Sequence, residues 1–429
     1  MVISPVLSPK PNPPGPGARP PTMKSKPLAI LNSSNVQPPT AASTPGDTGR
    51  DMAEQMNDEV RKQFKTGAKL GEGTYAIVYS GHYKSDPSSL VAIKKIKVNQ
   101  DYKDGIAMDA IREIKFLSEL DHPNIIKLHA VFSTKDQNIS LVLEHLPLGD
   151  IETLWKTHSI SYSPADIKAW ANMLAQAVWF CHENYVLHRD IKGNNLLIAA
   201  DGTVKLADFG LARSFADPGR PMTYNVITRF YRPPELLLGA RHYGGGVDVW
   251  SMGVVIAELA IREWFLPSNT DFEQLVAIYD VFGTPTEDSW PGVSQFEFYT
   301  PPDDSSVPAP ANGTGPSHRA TSPSQSTQSS IKRPQPLTYW RQRFPLLGED
   351  GIDLIRGMLT LDPRKRLSAR EVLEHRYWTN APRPTKKEDL PRQGSGEEKM
   401  GEDLKRRGGE VESGRVDKVA RKLDFGAMR

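Results

Sequence analysis

Cysteine is nearly absent: of 429 residues only Cys181 is one. That excludes an intramolecular disulfide and a cysteine-ligated metal cluster, and it fits a reducing intracellular compartment. Long apolar runs are missing too. The longest, Gly253 to Ile261, is too short to span a bilayer and contains Glu258. The first residues, MVISPVLSPKPNPPGPG, put prolines where a secretory leader needs its apolar stretch, so a soluble protein without a signal peptide is expected. Nor does charge of one sign dominate. Lys and Arg number 53 against 51 Asp and Glu, so global charge argues for neither a nucleic-acid binder nor a membrane-surface protein.

Three stretches have too few apolar residues to offset the entropy of ordering them. Residues 1–60 are rich in Pro, Ser, Thr and Gly and are expected to form a disordered tail; its Ser4-Pro5, Ser8-Pro9 and Thr44-Pro45 have the form of proline-directed phosphosites, a form this composition also produces by chance. Residues from about 302 to 332 read as a disordered insertion. Residues 379–429 alternate basic and acidic side chains and read as a solvated charged tail, with Lys405-Arg406-Arg407 its one candidate nuclear-import signal. Between them, residues 61–145 offer short β-branched runs (Ile77 to Tyr79, Leu90 to Ile96, Ile139 to Leu143) around one helical stretch, Asp109 to Leu120. Residues 146–378 are mostly helical in period, over Ala165 to Asn184, Val247 to Ile261, Phe272 to Phe282 and Gly351 to Leu359. The pattern predicts an α+β chain: a small β-rich lobe with one main helix, a larger helical lobe, and a cleft between them suited to a nucleotide.

The stretch VLHRDIKGNN, Val186 to Asn195, followed by LLIAADGTVKLADFG ending at Gly210, carries the chemistry. Phosphoryl transfer needs a group to orient a hydroxyl nucleophile and cations to neutralise the moving phosphoryl. Asp190 suits the first task and Lys192 part of the second, while Asn195 and Asp208 offer the hard oxygens that Mg2+ prefers. A second Asp-Phe-Gly at Asp424 has no such loop before it and reads as coincidence. Upstream, Leu70-Gly71-Glu72-Gly73-Thr74-Tyr75-Ala76-Ile77-Val78 is a glycine-rich turn between strands, where backbone N–H groups can approach phosphates. Lys94, in the strand Val91-Ala92-Ile93-Lys94, is placed for the α- and β-phosphates, and Glu113 in the next helix is the residue to pair with it. A scaffold that had lost its chemistry would not need Lys94, Glu113, Asp190, Asn195 and Asp208, and all five are present.

In this order the motifs resemble those of the eukaryotic protein kinases from Arg61 to about Trp378, and more closely those of the cyclin-dependent kinases. AIREI, Ala110 to Ile114, is similar to the second half of their cyclin-contacting helix. The stretches GEGTYAIVYSG, NIIKLHAVF, NISLVLEH, GARHYGGGVDVW, FLPSNTDFEQL and YWTNAPRPTKKEDLPR resemble the cyclin-dependent kinase seven branch, the kinase subunit of the CDK-activating kinase and of transcription factor TFIIH. The insertion and long tails suggest a fungal or otherwise divergent member.

The resemblance implies a bilobal kinase fold with ATP and Mg2+. It implies a cyclin-type subunit, an assembly factor of the CDK-activating kinase complex and the TFIIH core as partners, a nuclear location, and neither membrane nor direct nucleic-acid binding. Leu70, Gly71, Glu72, Gly73, Val78, Ala92 and Leu197 would line the nucleotide site. Backbone groups around Glu144 and Leu146 would bind adenine, Leu143 would lie behind it, and Asp150 would reach the ribose. Thr228 would brace Asp190 and Lys192. Thr223 stands where the family carries its activating phosphothreonine, with Arg112, Arg189 and Arg213 as the clamp. Glu235, in a PPE motif where most relatives have APE, would pair with Arg366. Thr74 and Tyr75 match inhibitory phosphosites of cell-cycle relatives. A mitogen-activated kinase is excluded because Thr223-Tyr224-Asn225 lacks its T-x-Y. Proline-directed Ser/Thr phosphorylation is expected, of the RNA polymerase II repeat tail or of activation loops of other cyclin-dependent kinases, and the residues do not choose between these substrates. Another cell-cycle member of the family is the alternative.

Overall fold

The computed structural model describes residues 52–73, 76–97, 108–134, 138–217, 219–301 and 331–392. Thr74, Tyr75, the insertion between 302 and 330, the Ser/Thr-Pro sites of the N-terminal tail and the Lys405 and Asp424 motifs lie outside them. Among the described residues no helix is long and apolar enough to cross a membrane.

The first lobe is a five-stranded antiparallel sheet in the order β1-β2-β3-β5-β4, formed by β1 (Phe64–Glu72), β2 (Ala76–Tyr83), β3 (Leu90–Ile96), β4 (Leu128–Ser133) and β5 (Ile139–Glu144). Side chains alternate across a strand. Val91 and Ile93 of β3 therefore share a buried outer face with Phe64, Ala130, Phe132 and Val142, while Ala92 and Lys94 turn to the other side. Residues 52–60, expected to belong to a disordered tail, are helical instead: α1 (Met52–Lys62) covers that outer face with Val60. Asn57 fastens it to the edge strand: its Oδ1 accepts from Ser133 N at 2.6 Å and its Nδ2 donates to Ser133 O at 3.0 Å. On the inner side, α2 (Met108–Glu119) buries Ala110, Glu113, Phe116 and Leu117, which helical spacing puts on one face.

The second lobe contains α3 (Ile151–Lys156), α4 (Pro164–Glu183), α5 (Pro234–Leu237), α6 (Gly246–Ile261), α7 (Asp271–Phe282), α8 (Leu337–Arg343), α9 (Gly348–Met358) and α10 (Ala369–Glu374). It also carries two small two-stranded antiparallel sheets, β6 (Val186–Leu187) with β9 (Arg213–Ser214) and, between them in the chain, the hairpin of β7 (Leu196–Ile198) with β8 (Val204–Leu206). Ser163 and Asp166 start α4 with a capping box, with Pro164 in the first turn. Helix α6 is apolar nearly all round, as a core helix must be: of its 16 residues all but Gly246 and Ile261 are buried. A parallel bridge from Ile125 to Leu206 and an ion pair of Glu144 with Lys205 at 2.9 Å join the lobes behind the cleft.

Two other boundaries differ from expectation. Residues 379–392 are held against the second lobe, since buried Lys168 donates to Asn380 O at 3.0 Å and Pro382 O at 2.8 Å, and Thr385 N donates to Ala165 O at 3.1 Å. Lys332 is likewise bonded into the lobe, through Thr284 and Asp280.

Glu235 and Arg366 pair in two bonds, at 2.7 and 2.9 Å, out of contact with water. Removing one charge strands the other in a low dielectric, so Glu235→Gln is expected to cost about 3 kcal/mol in chemical denaturation, whereas Arg341→Ala, in the exposed pair with Glu349, leaves the midpoint unchanged. Glu258 of α6 gives a pH signature. Burial pushes its carboxyl up to about 8, against the hydrogen bond from the Tyr231 hydroxyl at 2.8 Å. The native state then holds a proton that the unfolded chain has released above its ordinary carboxyl pKa, so this group weakens stability as pH climbs from about 5 to 8. Denaturation of Glu258→Gln should show that pH slope flattened, with the largest gain over the parent at pH 8.

Candidate active site

Lys94 reaches the cleft because β3 alternates, and Glu113 because it lies on the buried face of α2. Lys94 Nζ donates to both Glu113 oxygens, at 2.8 and 2.7 Å, and lies 3.5 Å from Asp208 Oδ1. Burial opposes the Lys94 charge, but the two carboxylates more than offset it and hold its pKa above the ordinary lysine value. Strand register places Val78 opposite Lys94, and Ala92 opposite Leu143.

At the glycine-rich turn, Gly73 N donates to Ala76 O at 2.9 Å. A Cβ added at Gly71 would meet nothing within 4 Å, and at Gly73 only Ala76 O at 3.9 Å. Neither glycine is demanded by packing: the turn leaves open space beside both. The sequence puts Glu72 among the nucleotide contacts. Its carboxylate is held by Lys69 and by Lys97 Nζ at 2.6 Å, and hydrogen bonding from Lys69 brings its pKa down to about 2. A permanently charged carboxylate turned to those lysines leaves only its backbone for a phosphate.

After β5 the chain crosses between lobes through His145 to Asp150. Leu148 N donates to Ile198 O and Ile198 N to Gly149 O, tying the connector to β7. Among the described residues no hydrogen bond engages the Leu146 N–H, which leaves it open to a ligand acceptor. Asp150 also bridges to Leu197, but its carboxylate caps α3, accepting from Thr153 N at 2.8 Å and Thr153 Oγ1 at 2.9 Å. A ribose hydroxyl would have to share that carboxylate.

The catalytic loop joins β6 to β7. Asp190 is buried, with Oδ1 accepting from Thr228 Oγ1 at 2.8 Å and Oδ2 from Asn195 Nδ2 at 2.9 Å. Lys192 Nζ stands 2.8 Å from Asp190 Oδ2 and 3.1 Å from Thr228 Oγ1. Asp190, Lys192, Asn195 and Thr228 thus meet in one network. Sequence reasoning missed what suspends it. Asp248, fully buried in the first turn of α6, accepts from His188 N and Arg189 N at 2.9 Å each and lies 2.9 Å from His182 Nε2. Burial alone would raise its pKa; His182, His188 and the backbone donors hold it below the ordinary value. A lone aspartate in the apolar run VDVWSMGVV was the available signal. Burial lowers the His188 pKa; its Nδ1 accepts from Asp190 N at 3.2 Å, and its Nε2 lies 3.1 Å from Ala207 O. Phe209 is buried with its ring edge-on to His188 at 4.7 Å, which turns Asp208 toward Lys94. Burial works against the Asp208 charge, and Lys94, His188 and Lys192 outweigh it, keeping this carboxyl below its usual range.

Among the described residues, four of the five non-glycine residues with positive φ lie here: Tyr185 (57°), Arg189 (64°), Asp208 (64°) and Ile227 (70°). Each costs about 1–3 kcal/mol and persists only where its surroundings dictate it. Ile227, β-branched and buried, is the most costly case. Its carbonyl accepts from Arg232 Nε at 3.2 Å and Nη2 at 3.0 Å, and Arg232 Nη1 is held by Asp271 at 2.9 Å.

Thr223 is exposed. Of the three expected clamp residues, Arg189 donates to Leu211 O at 2.8 Å, Arg213 to Pro221 O at 3.4 Å, and Arg112 pairs with Asp109 at 2.8 Å. Besides burial, the charges of Arg189, Arg220 and Arg112 hold the Arg213 pKa below its ordinary value. The cations are therefore gathered, with Arg220 a fourth that the motifs did not single out.

A protein kinase domain profile matches residues 64–378. The chain is 42% identical over 327 residues to the serine/threonine-protein kinase KIN28 of Saccharomyces cerevisiae, a match covering 76% of this chain and 97% of the yeast protein. It is 41% identical over 333 residues to cyclin-dependent kinase 7 of Xenopus laevis, covering 77% of this chain and 85% of the frog protein. A solved structure of the CAK complex of Chaetomium thermophilum bound to ATP-gamma-S contains a chain that is 55% identical, with a TM-score of 0.72 over 80% of this chain and 99% of that one. The chain belongs to the protein kinase family, and within it to the cyclin-dependent serine/threonine kinases.

Proposed function

We propose that this kinase transfers the γ-phosphate of ATP to Ser-Pro and Thr-Pro sites, and that Asp190 receives the acceptor hydroxyl. Leu70, Val78, Ala92, Leu143 and Leu197 enclose the adenine, and the Leu146 N–H anchors it. The backbone of Gly71 to Gly73 and the Lys94 ammonium take the phosphates. Asn195 and Asp208 fit Mg2+, because they are hard oxygen donors and Asp208 is kept ionised by its neighbours. Among the described residues no group of three His, Cys, Asp or Glu gathers as a self-sufficient metal site, as suits an ion that shares its shell with phosphates. Bound there, the ion neutralises charge on the phosphates. Thr228 and Asn195 fix the Asp190 carboxylate so that one oxygen can accept the hydroxyl hydrogen bond and then the proton as the new O–P bond forms and ADP departs. Lys192 supplies positive charge beside the same oxygens.

The proline preference rests on Ile227. With the acceptor hydroxyl at Asp190, the next substrate residue meets the backbone just ahead of Thr228. The Ile227 carbonyl is already taken by Arg232, so a substrate N–H at that position loses its water and gains no partner. Proline has no N–H to lose.

A cyclin-type subunit fits the outward side of α2, where Met108 and Ile111 are exposed at 58% and 44%. Through α2 such a partner would bear on Glu113. The likeness to KIN28, to cyclin-dependent kinase 7 and to the CAK complex chain supports assembly with a cyclin and an assembly factor, work with TFIIH in the nucleus, and the polymerase repeat tail and kinase activation loops as substrates. Residues 61–378 are the kinase domain in this reading, and phosphate on Thr223 recruits Arg189, Arg213 and Arg112.

Phosphate transfer from magnesium-ATP by the purified native complex tests the reading. A Ser-Pro repeat peptide should be labelled, and Asp190→Asn should lower kcat about a hundredfold to ten-thousandfold with KM for ATP little changed. No labelling above the Asp190→Asn control would sink the assignment. Replacing the proline by alanine should cost about tenfold to hundredfold in kcat/KM, and N-methylalanine, which also lacks the N–H, should recover most of it; an unimproved N-methyl peptide would rule out the carbonyl argument.

A further inference from the structure

Tyr243 stands in the glycine-rich turn before α6, within the stretch GARHYGGGVDVW, and the sequence assigns it no role of its own. Its hydroxyl donates to the Thr223 carbonyl at 2.6 Å and accepts from Arg189 Nη1 at 3.1 Å. One phenol therefore joins the arginine next to Asp190 to the main chain of the candidate phosphoacceptor. Burial raises its pKa, so the proton that the first bond requires is retained. The segment rests on the same turn at the flanking residues. Met222 N donates to Arg241 O at 2.7 Å; the Arg241 guanidinium lies over the Tyr224 ring at 5.6 Å; and that ring meets Phe298 edge-on at 5.6 Å. Against these contacts works the mutual repulsion of Arg112, Arg189, Arg213 and Arg220.

We propose that Tyr243 is a positioning residue that holds the activation segment against the catalytic loop before Thr223 is phosphorylated, so that the phosphate reinforces an arrangement already built. The inference rests on reading Thr223 as the phosphoacceptor of an active kinase. Without the phenol hydroxyl, the Arg189 guanidinium keeps, among the described residues, only its bond to Leu211 O, and the Thr223 carbonyl loses the Tyr243 donor. Once a phosphate is present, its oxygens can gather the arginines directly, and the phenol becomes redundant. The two devices should therefore be non-additive.

The native complex is prepared with Thr223 phosphorylated and after phosphatase treatment, each state checked by intact mass, as the parent and as Tyr243→Phe. Unphosphorylated parent should keep at least about a tenth of the phosphorylated kcat/KM for peptide. Tyr243→Phe should cost about tenfold in the unphosphorylated state and no more than about twofold in the phosphorylated one, with KM for ATP unchanged because Lys94 and Glu113 are untouched. Backbone amides between 211 and 226 should exchange hydrogen about tenfold faster in unphosphorylated Tyr243→Phe than in the parent. Equal losses in both states, or an inert unphosphorylated parent, would overturn the proposal. So would equal exchange rates, and that readout stands even if no substrate is labelled, a result that would count against the kinase reading instead.

Discussion

Asp248 takes hydrogen bonds from the main chain of His188 and Arg189 and from the His182 ring, and the direction of Asp190 follows from that grip. Burying a carboxylate costs several kcal/mol, on the order of what a whole helix cap contributes several times over, and only a full set of donors offsets it. The donors come from α4 and the catalytic loop, while the acceptor is carried by the core helix α6. A left-handed Arg189 would relax if released; clamped at both ends, it cannot. The Asp190 carboxylate is thus registered to the core helix α6, although it belongs to a loop.

The opposite wall of the cleft is set by a different kind of constraint. Lys94 and Glu113 belong to separate elements of the first lobe, and Asp208 to the second, so their meeting depends on the placement of α2 and on the angle between lobes. Helix α2 presents exposed apolar side chains outward and the ion-pair carboxylate inward. Whatever presses on its outer face acts directly on the nucleotide side of the cleft.

The parts carried by contiguous motifs could be read from the chain. Lys94, Glu113, Asp190, Asn195 and Asp208 each sit in a short pattern whose order is informative, and α2, α4, α6 and α7 announce themselves by apolar period. Helix α1 did not, because only Val60 of its residues is buried and a proline-rich tail precedes it. Residues 379–392 looked like a solvated tail, since their fastening uses a lysine on backbone carbonyls and leaves no apolar pattern. Asp248 and Tyr243 act through partners many positions away; the apolar run around Asp248 marks it as unusual without naming those partners, and nothing local marks Tyr243 as a tie between distant segments. The ion-paired Glu72 carboxylate was equally invisible, because its partners come from two different strands and their ends.

Gly71 and Gly73 border open space, with no packing neighbour to object to a methyl group. Selection for a well-folded chain is therefore blind at these two positions, and only occupancy of the cleft can police them. A variant with a side chain there would mature, keep its thermal midpoint and enter its complexes as a well-formed but ineffective subunit.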